Sequence, residues 1–220
     1  ESAFYKNLDT PCIYHGHPLL EIVPEPTSKK GPIQTVGFFP GSRKQELEKH
    51  YPLLLEFAQM YPDLKFVVAG ISHLNKSSYV TELPNIELVF DDPKTVMSRS
   101  DLAMASSGTA TLELALFGVP QIVIYKTSAV SFAIGKRLVK TRFISLVNII
   151  AQKKVVEELL QEALTLENLN AHFLTLQNEV SRSKILEAYA DIRKQLGNGQ
   201  TSSKVAQDIY NFIDPNKKMQ

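Results

Sequence analysis

A single cysteine, Cys12, occurs in 220 residues, so no internal disulfide can brace this fold. With no secretory signal either, the scarcity points to a reducing, cytoplasmic setting. The sequence has no run of about 18 apolar residues, the length a membrane-spanning helix needs. Five histidines are present, scattered apart from His15 and His17, and no cysteine or carboxylate cluster completes a ligand set. No metal and no cofactor is therefore expected. Net charge is only +1, which excludes a general attraction to nucleic acid and leaves any cationic role to local clusters. No internal repeat is found.

What remains is an ordinary globular composition, 44% hydrophobic and 21% charged, long enough to bury a core. Residues 1–32 enter through a helix-like start and a strand-like run at 12–15. They then pass into a Pro- and Gly-punctuated stretch, Pro24-Glu25-Pro26-Thr27-Ser28-Lys29-Lys30-Gly31-Pro32. This reads as the end of an upstream domain and its linker, making the chain the downstream part of something larger. From residue 33 onward, apolar strand-like runs (34–39, 65–69, 86–89, 102–105, 121–125) alternate with helical patterns (46–60, 76–82, 93–99, 109–117, 129–140). Such alternation predicts an α/β fold with a parallel sheet over residues 33–165. Beyond residue 148 the pattern turns helical, at 153–161, 166–179, 181–196 and 203–213. Residues 166–220 are read as a helical tail.

Two strand-to-helix junctions carry chemistry. In Ser106-Ser107-Gly108-Thr109-Ala110-Thr111-Leu112-Glu113 a small-residue turn joins a buried strand to a helix. Unpaired N–H groups and the positive end of the helix dipole then meet at one spot, where phosphate binds readily. Glu113 lies one turn beyond Thr109 on the same face, placed to accept hydrogen bonds from two ribose hydroxyls. The alternative is a plain capped helix whose acid answers the dipole. In Pro40-Gly41-Ser42-Arg43, Gly41 allows a tight turn or a close approach to a ligand, and Ser42 can cap a helix or donate to phosphate. Arg43 offers a planar cationic fork. The spacing is not that of the common nucleotide-hydrolase phosphate loop. Both junctions leave the carboxyl ends of their strands, where open α/β sheets hold ligands.

A third feature is basic. Small and apolar residues at 129–135 run into Lys136, Arg137, Lys140 and Arg142, a pattern suited to an anionic bilayer surface or to a core helix with a solvated basic end.

Together, Pro40-Gly41-Ser42-Arg43 with Glu46, Ser107 to Glu113, Lys136 to Thr141, Ser145-Leu146-Val147-Asn148 and Glu158-Leu159-Leu160-Gln161 resemble the lipid-A-disaccharide synthase family. The resemblance runs from about residue 3 to 161. Ser-Gly-Thr followed by Leu-Glu recurs in other nucleotide-sugar enzymes, whereas Lys136 to Thr141 followed by Ser-Leu-x-Asn is more specific. The resemblance implies the carboxyl-terminal, donor-binding half of a glycosyltransferase of the two-Rossmann-domain (GT-B) type. The reaction implied is inverting transfer of 2,3-diacylglucosamine from its UDP-linked donor to 2,3-diacylglucosamine 1-phosphate. Lipid A disaccharide 1-phosphate and UDP are the products.

On that basis Arg43, Ser107, Gly108 and Thr109 are expected to stabilise the leaving diphosphate, with Gly41 and Ser42 beside it and Glu113 on the ribose. Asn148 matches a family position tied to activity, and its amide would bridge donor phosphate and sugar; an ordinary turn residue fits the same place. Val147 stands where the family usually has Pro, and Gln152 where it usually has Gly or another small residue, which predicts a looser loop around Asn148. The general base is implied to lie in the upstream domain, so this chain alone is expected to bind UDP without catalysing. The resemblance also implies a location peripheral to the inner membrane, a lipid acceptor, and permits homodimers. Competing readings are a UDP-N-acetylglucosamine 2-epimerase-like enzyme and a non-catalytic nucleotide-binding or assembly module.

Overall fold

The computed structural model describes residues 12–26, 31–74, 76–127 and 142–213. The expected helix at 129–140 and the cations Lys136, Arg137 and Lys140 lie outside the described residues. Arg142 is described, and it is exposed. By contacts the chain divides into two units, Glu25–Ile192 and the pair Glu1–Pro24 with Arg193–Gln220.

The larger unit is built on six strands: β1 Thr35–Phe39, β2 Lys65–Gly70, β3 Ile86–Phe90, β4 Leu102–Ser106, β5 Gln121–Tyr125 and β6 Glu157–Leu160. They lie in the order β3-β2-β1-β4-β5-β6, and every neighbouring pair is parallel. The described helices are α1 Leu19–Ile22, α2 Lys44–Met60, α3 Pro93–Arg99, α4 Thr109–Leu116, α5 Leu146–Ala151, α6 Leu166–Gln177, α7 Glu179–Gln195 and α8 Thr201–Ile213. This is the Rossmann-like parallel sheet that strand–helix alternation predicts.

Side-chain alternation along the strands makes two apolar layers. Phe38, Phe66, Val68, Met104 and Ile124 pack with Leu47, Tyr51, Leu54 and Phe57 of α2 and Leu169 and Phe173 of α6. The rings of Phe57 and Phe173 meet edge to face at 5.2 Å. On the opposite face Phe39, Val67, Ala69, Ala103 and Ala105 pack with Val96 and Met97 of α3 and Leu114 of α4. A parallel sheet covered on both faces explains why its strands read as continuous apolar runs.

Three local readings are corrected. Residues 153–161, read as helical, contain β6. The carboxyl-rich Glu157-Glu158-Leu159-Leu160 has good helix propensity, but pairing satisfies the backbone groups along the edge of β5, and this outweighs a propensity of tenths of a kcal/mol per residue. Residues 76–82 contain one short 3₁₀ turn, Lys76–Tyr79, in place of an α-helix. Residues 12–15 have no strand partner and are irregular.

In the smaller unit the residues before Pro24 pack with those after Arg193. The Tyr14 hydroxyl and the His17 N–H both donate to the Leu196 carbonyl, at 3.1 and 2.8 Å. Glu21 accepts the Ser202 N–H at 2.7 Å, and hydrogen bonds from Ser202 hold its carboxyl below the usual range. Residues up to Ile192 group with the sheet, so α6 and most of α7 belong to the larger unit.

Gly37 in β1 fixes how closely α3 approaches. A Cβ there would collide with the Ser100 hydroxyl, which is buried and donates to the Val96 carbonyl at 2.7 Å. Gly37→Ala is predicted to cost about 1–3 kcal/mol by overpacking, read as a lower urea midpoint at unchanged slope. Unchanged stability would show that this contact is looser than described.

Candidate functional site

At the carboxyl ends of β1, β2 and β4 the structure opens a cavity of about 370 Å³. One wall is Phe39, Gly41, Ser42, Arg43 and Glu46; a second is Ser106 to Ala110; Gly70, Ile71, Asp91 and Pro93 close the far side. Gly41, Ser42, Arg43, Ser107, Gly108 and Thr109, singled out from sequence in two separate segments, therefore share one cavity. Glu113 and Asn148 are not among its lining residues.

The β1 loop is shaped by Gly41 and Glu46. Gly41 has φ +118°, a conformation that disfavours side chains, and a Cβ there would collide with the Glu46 carboxylate. That carboxylate, in the first turn of α2, accepts the Ser42 N–H at 3.0 Å and the Arg43 guanidinium at 3.2 Å. Glu46 is nearly buried while the Arg43 side chain is 78% exposed, so the guanidinium is tethered at its base and free to meet a ligand. No side chain caps α2, which leaves its positive end turned to the cavity.

The β4 loop ends at Gly108, with φ +147°. A Cβ at this position would meet nothing within 4 Å, so the backbone conformation, not crowding, calls for glycine. Gly108 is the N-cap of α4 and supplies no side-chain cap. The N–H groups of Thr109 and Ala110 therefore start an uncapped helix beside the cavity. Two helix N-termini meeting one cavity give the arrangement that anions favour.

Glu113 sits half-buried one turn beyond Ala110, with no hydrogen-bond partner among the described residues. Burial raises its carboxyl pKa, and the charge of Lys94 opposes the rise. A half-buried carboxylate without a partner carries a desolvation cost for the fold.

Asn148 has a different place from the one expected. It is fully buried in α5 and its amide is saturated. The Nδ2 donates to the Val156 carbonyl at 3.0 Å and to Glu158 at 2.8 Å, while Oδ1 accepts the Val155 and Val156 N–H groups at 2.7 and 3.0 Å. All the hydrogen-bonding positions of an amide are then filled, so it is not free to bridge phosphate and sugar. Nor is its loop loose. Glu158 also accepts the Ser145 N–H at 3.0 Å and hydroxyl at 2.7 Å, and Ile144 N–H at 3.1 Å. The Ile144 carbonyl in turn accepts the Ser107 hydroxyl at 3.0 Å. The Ser145-to-Asn148 segment and Glu158 thus fix the β4 loop from behind. Gln152 follows α5 in the left-handed region, φ 54°, a conformation that favours glycine at a helix C-terminus.

Sequence reasoning missed the role of His50. It is buried, and burial lowers its pKa, so the neutral ring donates through Nδ1 to the Pro40 carbonyl at 2.7 Å and accepts the Lys126 N–H on Nε2 at 2.9 Å. It ties the β1 loop to the end of β5. Its only signal in the sequence is a histidine on the apolar face of a helix. Asp91 and Ser106 were missed as well. Asp91 has φ 58°, and hydrogen bonds from Ser72 hold its carboxyl below the usual range.

The family model described as Lipid-A-disaccharide synthetase matches residues 1–210. The lipid-A-disaccharide synthase of Geobacter metallireducens is 34% identical, over 97% of this chain and 60% of that protein. The enzyme of Coxiella burnetii is 31% identical, over 97% of this chain and 61% of its own length. The chain spans about 60% of these curated relatives. Among solved structures, the calicheamicin glycosyltransferase CalG4 superposes with a TM-score of 0.58 at 16% identity, over 90% of this chain and 46% of that one. A protein described as a UDP-N-acetylglucosamine 2-epimerase from Listeria monocytogenes gives 0.55 at 17%, over 92% and 54%. At such identities the likeness is one of fold, which transferase and epimerase share, and sequence separates them. With a family model matched over residues 1–210 and a relative 34% identical over 97% of the chain, the chain belongs to the lipid-A-disaccharide synthetase family.

Proposed function

We propose that this chain is the donor-nucleotide half of a lipid-A-disaccharide synthase, binding UDP-2,3-diacylglucosamine at the cavity between the β1 and β4 loops. The observation that carries the reading is the convergence of two uncapped helix N-termini and Arg43 on one cavity. In the reaction, the hydroxyl of 2,3-diacylglucosamine 1-phosphate forms a bond to the anomeric carbon as the bond to the UDP oxygen breaks. The hydroxyl proton passes to a general base and the departing electron pair leaves negative charge on UDP. Fixed N–H groups at Thr109 and Ala110 and the Arg43 guanidinium stabilise that charge as it grows. Gly41, Ser42, Ser107 and Gly108 shape the diphosphate pocket, and Glu113 takes the ribose hydroxyls.

The carboxylates that line the cavity do not suit the role of base, since Glu46 and Asp91 already accept backbone N–H groups. The base is assigned to the part of the protein outside this chain, which by itself binds nucleotide without turnover. The basic residues Lys136, Arg137, Lys140 and Arg142 are proposed to meet an anionic bilayer, keeping the enzyme peripheral to the inner membrane beside its lipid substrates. Product analysis of the full-length protein with acylated and unacylated UDP-sugars separates this reading from an epimerase: disaccharide formation supports it, and epimerisation of the unacylated sugar overturns it.

Arg43→Ala is predicted to weaken UDP binding about tenfold by calorimetry, the scale of a lost hydrogen bond to a charged group; equal affinity would remove Arg43 from the site. The raised pKa of Glu113 gives a pH signature. Ribose hydroxyls bind the ionised carboxylate, so UDP affinity should fall as pH drops through a value above the usual 4.5. Glu113→Gln should lose that acid limb. In the free protein the same shift means that stability declines as pH rises through this window, because the folded state holds the proton longer than the unfolded one. Asn148→Ala should lower stability by about 2–4 kcal/mol, having left several buried groups unpaired. Lost turnover at unchanged stability would instead make Asn148 catalytic.

A further inference from the structure

Ser106 is the last residue of β4. It is only 5% exposed, and its hydroxyl finds no hydrogen-bond partner among the described residues. Buried hydroxyls are rarely left so, because each unpaired one costs stability. Ser107, its neighbour, is paired with the Ile144 carbonyl and so is not the freer of the two. Ser106 also lines the cavity, between Phe39 of β1 and the uncapped start of α4. By strand alternation it continues the face of Leu102 and Met104, the face that α2 covers. Ser106 therefore stands where the β4 loop leaves the sheet, directly before Ser107 and Gly108 of the cavity wall.

The chemistry of the surroundings selects the ligand. The uncapped turn at Thr109 and Ala110 and the Arg43 guanidinium present donors to the cavity. The two carboxylates that line the cavity are occupied, Glu46 by Ser42 and Arg43 and Asp91 by the Ser72 N–H. A hydroxyl can donate or accept, and among such donors the group that needs it is an oxygen anion. We propose that Ser106 is a direct ligand of the bound diphosphate, donating its hydroxyl to a phosphate oxygen at the floor of the cavity. The inference rests on the nucleotide-diphosphate reading of the same cavity and adds a donor that the Ser-Gly-Thr pattern does not mark.

Two readouts of opposite sign test it. Ser106→Ala removes an unpaired buried hydroxyl, so the melting temperature of the free chain should stay the same or rise. The same substitution should weaken UDP and inorganic pyrophosphate by a common factor of roughly ten, the scale of one charge-assisted hydrogen bond. Uridine, which has no phosphate, should bind the parent and the variant equally. Ser106→Cys keeps the volume but donates weakly, and should fall with the alanine variant. Equal UDP affinity for parent and Ser106→Ala would overturn the role of Ser106 and leave the nucleotide site standing. A drop in melting temperature alongside the affinity loss would make the residue structural and overturn the assignment. No UDP or pyrophosphate binding by the parent would overturn the nucleotide reading and this inference together.

Discussion

The pairing of β1 with β4 is the constraint on which the site depends. The chain lays β1, β2 and β3 outward in one direction, then returns to place β4 against the other edge of β1, with Phe39 beside Ala105. Loops that leave these two adjacent strands in opposite senses open a crevice between them, as at the reversal point of any open α/β sheet. The β1 loop feeds α2 on one face and the β4 loop feeds α4 on the other. Two positive helix ends therefore reach the same cavity from opposite sides of the sheet, although residues 43 and 109 are far apart in the chain.

Carboxylates behind the loops keep those donors available. Glu46 binds the Ser42 N–H and steadies Arg43, and Glu158 binds the segment that holds Ser107. Each of these acids faces the loop backbone, so negative charge serves as scaffold while the cavity keeps its N–H groups and its guanidinium. His50 adds a neutral tie from Pro40 to Lys126. A protonated ring could not accept the Lys126 N–H, and burial keeps the ring neutral. The scaffold thus depends on protonation states that the fold itself sets.

Most of this architecture was legible because it rests on local pattern. Short apolar runs between helical periods mark strands buried on both faces, and small residues with glycine after a strand mark a loop whose backbone approaches a ligand. Reading failed where distant contacts decide. The segment Glu157–Leu160 has the residues of a helix and becomes a strand because β5 offers an open edge. Asn148 was recognised by its motif, yet its contacts with residues 155, 156 and 158 give it a scaffold role that no local pattern displays. Ser106 stands in the same motif as Ser107 but was given no role, since exposure and pairing, not residue type, distinguish the two. The family relationship was legible through those same loops, whose packing gives each residue its place.

That both loops act as one anion site is best tested by following backbone amide resonances during a UDP titration. The account predicts that Gly41 to Arg43 and Ser107 to Ala110 shift together and saturate with a single dissociation constant. Shifts confined to one loop, or two loops saturating with different constants, would contradict it.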